Sequence, residues 1–194
     1  MSAKTDSKKQ LIIDKATEVF ASKGFKAVTM KDIVEACEIS RGGLYLYYAS
    51  TEEIFKDVIE AEDNKEAGGK NFEEMLANSG ATDLLLWFMK EQKKDILKRK
   101  NSLAVAKYEY AFFCKANGKA KACKSAFETA VAVLANIIER GNESGEFNCE
   151  DSVSTACSMM YAIEGMRACA ATFGLSEKKV DSELLFLMNQ FVEE

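Results

Sequence analysis

The chain has 194 residues, of which 47% are hydrophobic and 29% charged, and its formal net charge at pH 7 is −5. It contains no proline, the residue that breaks helix interiors, so it can be helical nearly throughout. It contains no histidine either, which excludes Ser-His, Cys-His and His-metal chemistry and argues against an enzyme, although a carboxylate-only active site stays open.

The first predicted helix spans about residues 8–23. Its apolar residues recur at the spacing of one helix face, and Gly24 follows at the position where a left-handed cap ends many helices. The residues on that face are Ile12, Ala16, Val19 and Phe20. The pattern therefore predicts one amphipathic helix that ends near Lys23.

Two short helices follow, separated by a turn of about three residues. Thr29 begins the first of them, and Asp32 three residues later resembles the second member of a capping box. Ser40 caps the next helix, whose inward residues are Leu44 and Tyr48. Two short helices joined by so tight a turn are typical of a helix-turn-helix, which places its second helix in the major groove of DNA.

A fourth helix begins at Ser50 or Thr51, and Gly68–Gly69 marks a loosening of the chain after it. We therefore predict an all-α fold with an N-terminal three-helix, helix-turn-helix domain at 1–60 and a C-terminal helical bundle at 61–194. Helical periodicity in the second domain predicts helices at about 71–78, 82–100, 102–117, 119–141, 151–172 and 176–193.

The outward face of the third helix carries groups that suit DNA. Arg41 can reach a guanine edge or a phosphate, and Gly42 and Gly43 let backbone N–H groups approach phosphates closely. Tyr45 and Tyr47 lie two positions apart, so their side chains diverge and can straddle a groove wall. Their hydroxyls can donate to phosphate oxygens.

The alternative is a plain helical bundle in which the tyrosines form core and rim. Leu44 and Tyr48 already define the inward face at i and i+4, which favours a surface position for Tyr45 and Tyr47. Lys31 opens the second helix, which crosses the DNA backbone and can grip it. The predicted DNA-binding residues are Thr29, Lys31, Ser40, Arg41, Gly42, Gly43, Tyr45, Leu46 and Tyr47.

The segment over about residues 12–59 resembles the TetR (tetracycline repressor) family. The matching motifs, in order, are A-x-x-x-F from Ala16 to Phe20, Gly24-Phe25, T-x-x-D-I from Thr29 to Ile33, Ser40-Arg41-Gly42 with Leu44-Tyr45 and Tyr47-Tyr48, and S-x-E-E from Ser50 to Glu53. The resemblance implies a homodimeric, non-enzymatic repressor that binds a palindromic operator. It also implies that 61–194 is a ligand-binding and dimerisation domain, and that a small molecule releases the DNA.

Three positions depart from the family pattern. Glu38 stands in the turn where the family usually has glycine, and a non-glycine residue forced left-handed costs about 1–2 kcal/mol. Thr51 stands where the family often has a lysine that contacts phosphate, and Gly43 replaces a threonine or serine. Either the turn differs here or its strain is tolerated, and the chain lacks the side chains that make two DNA contacts in the family.

The charge of the N-terminal segment is not that of a basic domain. Residues 1–60 contain nine basic and ten acidic residues, although the balance is positive up to Lys31. Lys4, Lys8 and Lys9 are interpreted as a basic arm that touches the neighbouring groove or backbone. The acidity lowers non-specific affinity for DNA and leaves more of the binding to particular contacts.

The last two long helices are predicted to form a homodimer interface. The final helix is apolar over more than one face and needs cover, and small residues on the helix before it let a partner helix approach. These small residues are Ala156, Ser158, Ala162, Gly165, Ala168 and Ala171. The alternative is that these apolar residues form core within one chain. A dimer is favoured because twofold dimers are the commonest oligomers. Such a dimer would present two reading helices about one turn of DNA apart.

The middle helices are predicted to enclose a small, largely apolar or aromatic effector. The residues predicted to bind it are Trp87, Phe88, Tyr108, Phe112, Phe127 and Arg167. For any one of the aromatic residues, ordinary core packing is the alternative. Glu164 and Arg167 interrupt an apolar helix, where they pair with each other, mark an interface or bind the polar end of the ligand.

None of the six cysteines forms a C-x-x-C pair, so neither a metal site nor another cofactor is predicted. Most lie in apolar helical stretches, where a free cysteine behaves as a small hydrophobe. A redox-switched regulator that senses through a thiol such as Cys114 or Cys123 is the alternative function, and an all-helical enzyme or small-molecule carrier is a third. No signal-peptide or membrane-spanning stretch is recognised, so a cytoplasmic protein is expected.

Overall fold

A computed structural model of the chain describes residues 3–66, 78–99 and 102–190. Every regular element within these ranges is an α-helix, which confirms the predicted all-α fold. The helices are α1 (Ala3–Lys23), α2 (Met30–Cys37), α3 (Arg41–Tyr45), α4 (Thr51–Glu66), α5 (Ala81–Leu97), α6 (Ala104–Ala116), α7 (Ala120–Ser144), α8 (Ser152–Thr172) and α9 (Glu177–Met188). None of the helices described has the length and apolar character that crossing a membrane requires.

Most predicted helix boundaries agree with the structure to within a few residues. The first helix begins earlier than predicted, and the last ends at Met188, before the predicted 193. The helix predicted at 71–78 lies almost wholly outside the described residues, as does Gly68–Gly69.

The chain forms two compact units. The first comprises Met1–Gly69 and Arg99–Ala116, and the second comprises Lys70–Lys98 and Asn117–Glu194. Helix α6 therefore packs with the N-terminal helices, although it lies beyond the predicted boundary at residue 60. The functional division at that residue stays a prediction.

An aromatic cluster explains why α6 belongs to the first unit. Phe20 of α1 lies 4.6 Å from the ring of Phe55 on α4, and Phe25 lies 4.9 Å from Tyr110 on α6, measured between ring centroids. Phe113 of α6 lies 5.3 Å from Phe25. Aromatic pairs at such distances add to the free energy of burying their surface. Tyr110 and Phe113 of α6 are thus packed in this cluster.

Polar contacts also join α6 to the helix-turn-helix side of the first unit. The carboxylate of Glu109 accepts a hydrogen bond of 2.9 Å from the backbone N–H of Lys26. Gly24 faces the same carboxylate with a φ of +77°, and a Cβ there would lie 2.6 Å from a Glu109 oxygen. Lys107 of α6 pairs with Glu62 of α4 at 2.9 Å. Glycine at position 24 is therefore required by its left-handed backbone conformation, whereas the carboxylate end of the Glu109 side chain could move to admit a Cβ.

The core of the second unit lies between α5, α7 and α8, with α9 packed on α5. Its fully buried aliphatic residues include Leu84, Leu85, Leu134, Ile137, Ile138 and Ile163. Gly141 of α7 lies beneath the ring of Phe147, and a Cβ at this glycine would lie 1.8 Å from a ring carbon. Glycine is needed here because the loop after α7 folds back directly onto that helix.

Helix α5 receives its N-terminal cap from a residue far along the chain. Its N-cap residue, Gly80, has no side chain to bond the first N–H groups. The carboxylate of Glu146 accepts these bonds instead, at 3.0 Å from the N–H of Ala81 and 2.9 Å from that of Thr82. These hydrogen bonds lower the pKa of Glu146 to about 2, and the bond from the backbone N–H of Thr82 contributes most. Glu146 thus holds the start of α5 against the end of α7.

Candidate nucleic-acid interface

Helix α2 begins with the predicted capping box. Thr29 accepts a bond of 3.3 Å from the N–H of Asp32, whose carboxylate accepts one of 2.8 Å from the N–H of Thr29. Lys23 lies 2.5 Å from the same carboxylate, and Lys23 and Thr29 together hold the pKa of Asp32 well below its usual range. The hydroxyl of Thr29 also donates to Asp32 at 2.7 Å. The hydroxyl of this predicted DNA-binding residue is therefore engaged in fixing the start of α2.

The turn between α2 and α3 consists of three residues, Glu38 to Ser40. Glu38 adopts the left-handed conformation, with φ 53° and ψ 37°. The N–H of Ile39 donates to the carbonyl of Val34 at 3.3 Å, which closes the end of α2. The turn therefore keeps the conformation that favours glycine, and the chain tolerates the strain of a side chain there.

Helix α3 is capped by Ser40, as predicted. The hydroxyl oxygen of Ser40 accepts a bond of 3.0 Å from the N–H of Gly43. Helical hydrogen bonding continues to Tyr48, whose N–H donates to the carbonyl of Leu44. Leu44 and Tyr48 are buried, which confirms the predicted inward face. The cap already uses the N–H of Gly43, and the predicted approach of this N–H to a phosphate stays a prediction.

The side chains of α3 fall into four rows, each made of two residues four positions apart. The rows are Arg41 with Tyr45, Gly42 with Leu46, Gly43 with Tyr47, and Leu44 with Tyr48. The Gly42–Leu46 row lies opposite the buried one, because two positions along a helix turn the side chain by about 200°. Leu46 is 84% exposed, and a Cβ on Gly42 would meet nothing within 4 Å. Among the described residues, the outermost row of α3 is therefore the one that the rest of the protein covers least.

Two rows flank the Gly42–Leu46 row. On one side, the guanidinium carbon of Arg41 lies 5.6 Å from the ring centroid of Tyr45, and both residues are exposed. A cation–π contact of this kind limits the rotamers of a long side chain before it meets a ligand. On the other side, Tyr47 is half-buried. The two tyrosines thus diverge about Leu46, as their spacing predicts.

A buried tyrosine and two charged residues join α3 to α1 and α4. The hydroxyl of Tyr48 donates to Asp57 at 2.8 Å, and the ammonium of Lys9 lies 2.7 Å from the same carboxylate. Burial raises the pKa of Asp57, but the bonds from Lys9 and Tyr48 outweigh it and lower the pKa overall. Burial and the bond to Asp57 raise the pKa of Tyr48. Lys9, interpreted as part of a DNA-touching arm, is instead paired within the unit; the side chain of Lys4 lies outside the described ones.

Lys31 and the start of α4 complete this surface. Lys31 lies 3.6 Å from Glu35, and both side chains are exposed, so the pair contributes little and Lys31 can exchange it for a phosphate. Ser50 is the cap of α4: its hydroxyl accepts a bond of 3.3 Å from the N–H of Glu53. Thr51 is the first helical residue, where the related pattern often has lysine.

Two family models match the chain. One, described as "Bacterial regulatory proteins, tetR family", matches residues 12–58, which contain all the elements just described. The other, described as "Tetracyclin repressor-like, C-terminal domain", matches residues 84–181, half of the chain. The chain belongs to the TetR family.

Individual relatives agree with this assignment of a TetR-family transcriptional regulator. The uncharacterised HTH-type transcriptional regulator YfiR of Bacillus subtilis (strain 168) is 27% identical over 151 residues, 77% of this chain and 73% of YfiR. IcaR, the negative transcriptional regulator of the biofilm operon icaADBC of Staphylococcus epidermidis, is 36% identical over 52 residues, 27% of this chain and 28% of IcaR.

Solved structures show the same fold over nearly the whole chain. One is a putative transcriptional regulator from Saccharomonospora viridis that was solved in complex with choline. It is 18% identical to this chain, with a TM-score of 0.81, and the match covers 97% of this chain and 100% of the S. viridis chain. A TetR regulator from Haloarcula marismortui has a TM-score of 0.81 at 14% identity, with 95% and 96% covered.

The residues predicted to bind an effector in this TetR-family chain are divided between the two compact units. Tyr108 and Phe112 lie on α6 in the first unit, where Phe112 is 65% exposed. Trp87, Phe88, Phe127 and Arg167 lie in the second unit. There Phe88 is buried in the core, and Phe127 stacks on Tyr161 with ring centroids 5.1 Å apart. Neither unit by itself brings the six residues together.

Arg167 is bound by other residues of the second unit. It donates to Asp95 at 2.5 Å, to Gln92 at 2.8 Å, and to Glu164 one turn earlier on α8. Burial alone would lower the pKa of Arg167, but Asp95 and Glu164 outweigh it and raise the pKa. Of the three interpretations of Glu164 and Arg167, pairing with each other is therefore the one observed.

Two of the cysteines are buried in a way that disfavours the redox alternative. Cys114 is 1% exposed in the first unit, and burial raises the pKa of Cys37, which disfavours the reactive thiolate. The side chain of Cys123 lies outside the described ones. Among the described residues, no group of three or more His, Cys, Asp or Glu side chains is placed to hold a metal ion.

The last two helices carry exposed apolar residues at the position predicted for a dimer interface. On α9, Val180 and Leu184 are buried against the second unit, whereas Leu185 and Phe186 are 57% and 62% exposed. On α8, Gly165 is exposed, and a Cβ there would meet nothing within 4 Å. An apolar surface next to a helix with room for close approach is what a helix–helix contact between protomers requires.

Proposed function

We propose that this TetR-family regulator is a homodimeric repressor that binds a palindromic operator through α3 of each protomer. We propose further that a small, largely apolar effector, bound by the predicted C-terminal domain at 61–194, releases it. The observation that carries the proposal is the outward face of α3, where an uncovered Gly42–Leu46 row is flanked by Arg41, Tyr45 and Tyr47.

The contacts of this face divide into base reading and positioning. Arg41 reads a guanine edge or binds a phosphate, and the hydroxyls of Tyr45 and Tyr47 donate to phosphates. Lys31 adds a phosphate contact from α2. Thr29 and Ser40 act chiefly by holding the starts of α2 and α3, because their hydroxyl groups already bond within the caps.

The exposed apolar surface of α8 and α9 supports the homodimer. Twofold symmetry would repeat α3 in the partner and place the two reading helices at half-sites about one helical turn of DNA apart. An operator read in this way is palindromic. The regulator would act in the cytoplasm, where the DNA lies.

The proposed effector is a small molecule bound by the second of the two predicted domains. The S. viridis relative was solved with choline, which supports small-molecule binding by this fold. The aromatic residues Trp87 and Phe127 are half-buried in the second unit and suit an apolar ligand. A thermal unfolding screen that includes choline as a probe tests this, since a ligand that binds only the folded chain raises the melting temperature.

The test of DNA binding is fluorescence anisotropy with DNA from upstream of the protein's own gene, against shuffled DNA of the same composition, at about 150 mM salt. We expect preferential binding to one palindrome. Arg41→Ala or Tyr47→Ala should each weaken it by about 10- to 100-fold, because each removes a contact made in both half-sites. Lys121→Ala, an exposed change in the other unit, is the matched control and should bind like the wild type.

Repression and release are tested with a reporter gene behind that palindrome. We expect deletion of the regulator to raise expression, and a ligand found in the melting screen to raise it in the wild type only. A deletion that lowers expression would show an activator instead. Equal affinity for the upstream and shuffled DNA would overturn the proposed function.

A further inference from the structure

The most exposed large apolar side chain in the described part of the protein belongs to Leu46, the residue that caps the C-terminal end of α3. Leu46 is 84% exposed and lies opposite the buried row of α3. Within the described part of the chain, little protein covers Leu46, and the residue is not part of the buried core. An apolar residue at the centre of a polar binding face calls for a binding partner that offers an apolar group.

Leucine has neither a hydrogen-bond donor nor an acceptor on its side chain, so Leu46 cannot bind phosphate oxygens or the polar edges of bases. In the major groove, the apolar group on a base edge is the C5-methyl of thymine. The neighbouring rows already supply polar chemistry, through Arg41 and Tyr45 on one side and Tyr47 on the other. Leu46 is thus placed for the one recognition task that its polar neighbours cannot perform.

Gly42 gives Leu46 access to the base edges. It lies one turn earlier in the same row, and a Cβ there would meet nothing within 4 Å. Its φ is not in the left-handed region, so alanine, a better helix former, would fit the folded chain. The fold therefore does not require glycine here, and the lack of a side chain at this position would let the helix approach the floor of the groove closely.

We propose that Leu46 contacts the 5-methyl group of one thymine in each half-site, with Gly42 admitting the helix to that depth. This rests on the proposed function and adds a feature of the operator: a T·A pair at the position that faces Leu46, at the C-terminal end of α3, in both half-sites.

The test replaces each thymine of the bound palindrome, in symmetric pairs, by uracil, which removes only the 5-methyl group. We expect one pair of positions at which the wild type loses affinity. Loss of one buried methyl in each half-site corresponds to about fourfold each, or about 15-fold for the pair. Leu46→Ala should bind the thymine and uracil forms equally, whereas the control Tyr47→Phe should keep the discrimination.

A second variant tests the depth of approach. Gly42→Ala should keep or raise the melting temperature, and its affinity for the palindrome should fall at least tenfold. Wild-type affinity in Gly42→Ala would contradict the role given to this glycine.

The outcomes separate this inference from the proposed function. If the wild type binds the palindrome specifically but tolerates uracil at every position, the thymine contact is wrong and the proposed function stands. If Leu46→Ala discriminates uracil as the wild type does, another residue reads the methyl group, and the assignment to Leu46 is wrong. If no upstream palindrome is bound, both fail.

Discussion

Glu38 holds a left-handed conformation in the turn between α2 and α3, where glycine would adopt the same φ of 53° without strain. We expect Glu38→Gly to stabilise the chain by about 1 kcal/mol, because it relieves a clash between Cβ and the backbone. Urea unfolding measures this. Glu35→Gly, inside α2, is the control, and its free energy of unfolding should instead fall by about 1 kcal/mol. A lower free energy of unfolding in both variants would contradict the strain assigned to Glu38.

Glu146 makes the start of α5 sensitive to acid. Its pKa is lowered from 4.5 to about 2 in the folded chain, so its bonds to Ala81 and Thr82 stabilise fully above about pH 4.5 and are lost as the pH falls towards 2. We expect Glu146→Gln to cost about 1 kcal/mol at pH 7, a value typical of a helix cap. The difference from the wild type should shrink between pH 4.5 and 2 in urea unfolding.

The control for this pH dependence is Glu143→Gln, an exposed change in the last turns of α7. It should leave the unfolding free energy nearly unchanged across the same range. If Glu146→Gln still has the same lower free energy of unfolding than the wild type at pH 2, the variant has lost packing rather than the charged cap.

At the scale of helices, two glycines should respond oppositely to the same substitution. Gly141→Ala places a Cβ 1.8 Å from the Phe147 ring and should cost about 1–3 kcal/mol. Gly165→Ala meets open space within the chain and should stabilise α8 by about 0.5–1 kcal/mol as a monomer. Thermal unfolding at low protein concentration measures both changes.

The same Gly165→Ala protein also tests the predicted dimer interface. If α8 of a partner approaches at this position, the added methyl raises the dimer dissociation constant in sedimentation equilibrium even as the monomer is stabilised. An unchanged dissociation constant would remove Gly165 from the interface.

The salt dependence of DNA binding should distinguish two lysines of the first unit. Lys9 is paired with Asp57 and orients Tyr48, so Lys9→Met should weaken binding several-fold without changing the slope of log affinity against log salt. Lys31 is exposed on α2, and Lys31→Met should lower the slope by about one per protomer, since it removes a phosphate contact. A lower slope of log affinity against log salt in Lys9→Met would show that Lys9 contacts a phosphate of the DNA.

Local patterns predicted the helices and the caps well. The spacing of apolar residues predicted α7 at about 119–141 and α8 at 151–172, against Ala120–Ser144 and Ser152–Thr172 in the structure. Thr29 and Ser40 cap their helices as predicted, because a cap depends on residues only three positions away. The four-row geometry of α3 follows from the same short-range rules.

Long-range contacts were not predictable from those patterns. The bond from Lys26 to Glu109 joins residues 83 positions apart, and the cap of α5 joins residues 64 and 65 positions apart. Nothing in the periodicity of α6 distinguishes packing against Phe25 and Phe55 from lining a ligand cavity, because both require the same apolar face. The sequence pattern therefore predicts Tyr108 and Phe112 of α6 as effector contacts, because it carries no information about which distant residues pack against this helix.

At the scale of the whole molecule, the proposed repressor requires two copies of α3 that bind one palindrome. Hydroxyl-radical footprinting of the purified protein on its own upstream DNA tests this most directly. We predict two equivalent protected stretches, related by the palindrome and centred about one helical turn apart. Phe186→Glu, which places a charge on the predicted dimer surface, should weaken both together. Protection spread without preference along the DNA, or a single unpaired footprint, would contradict the account.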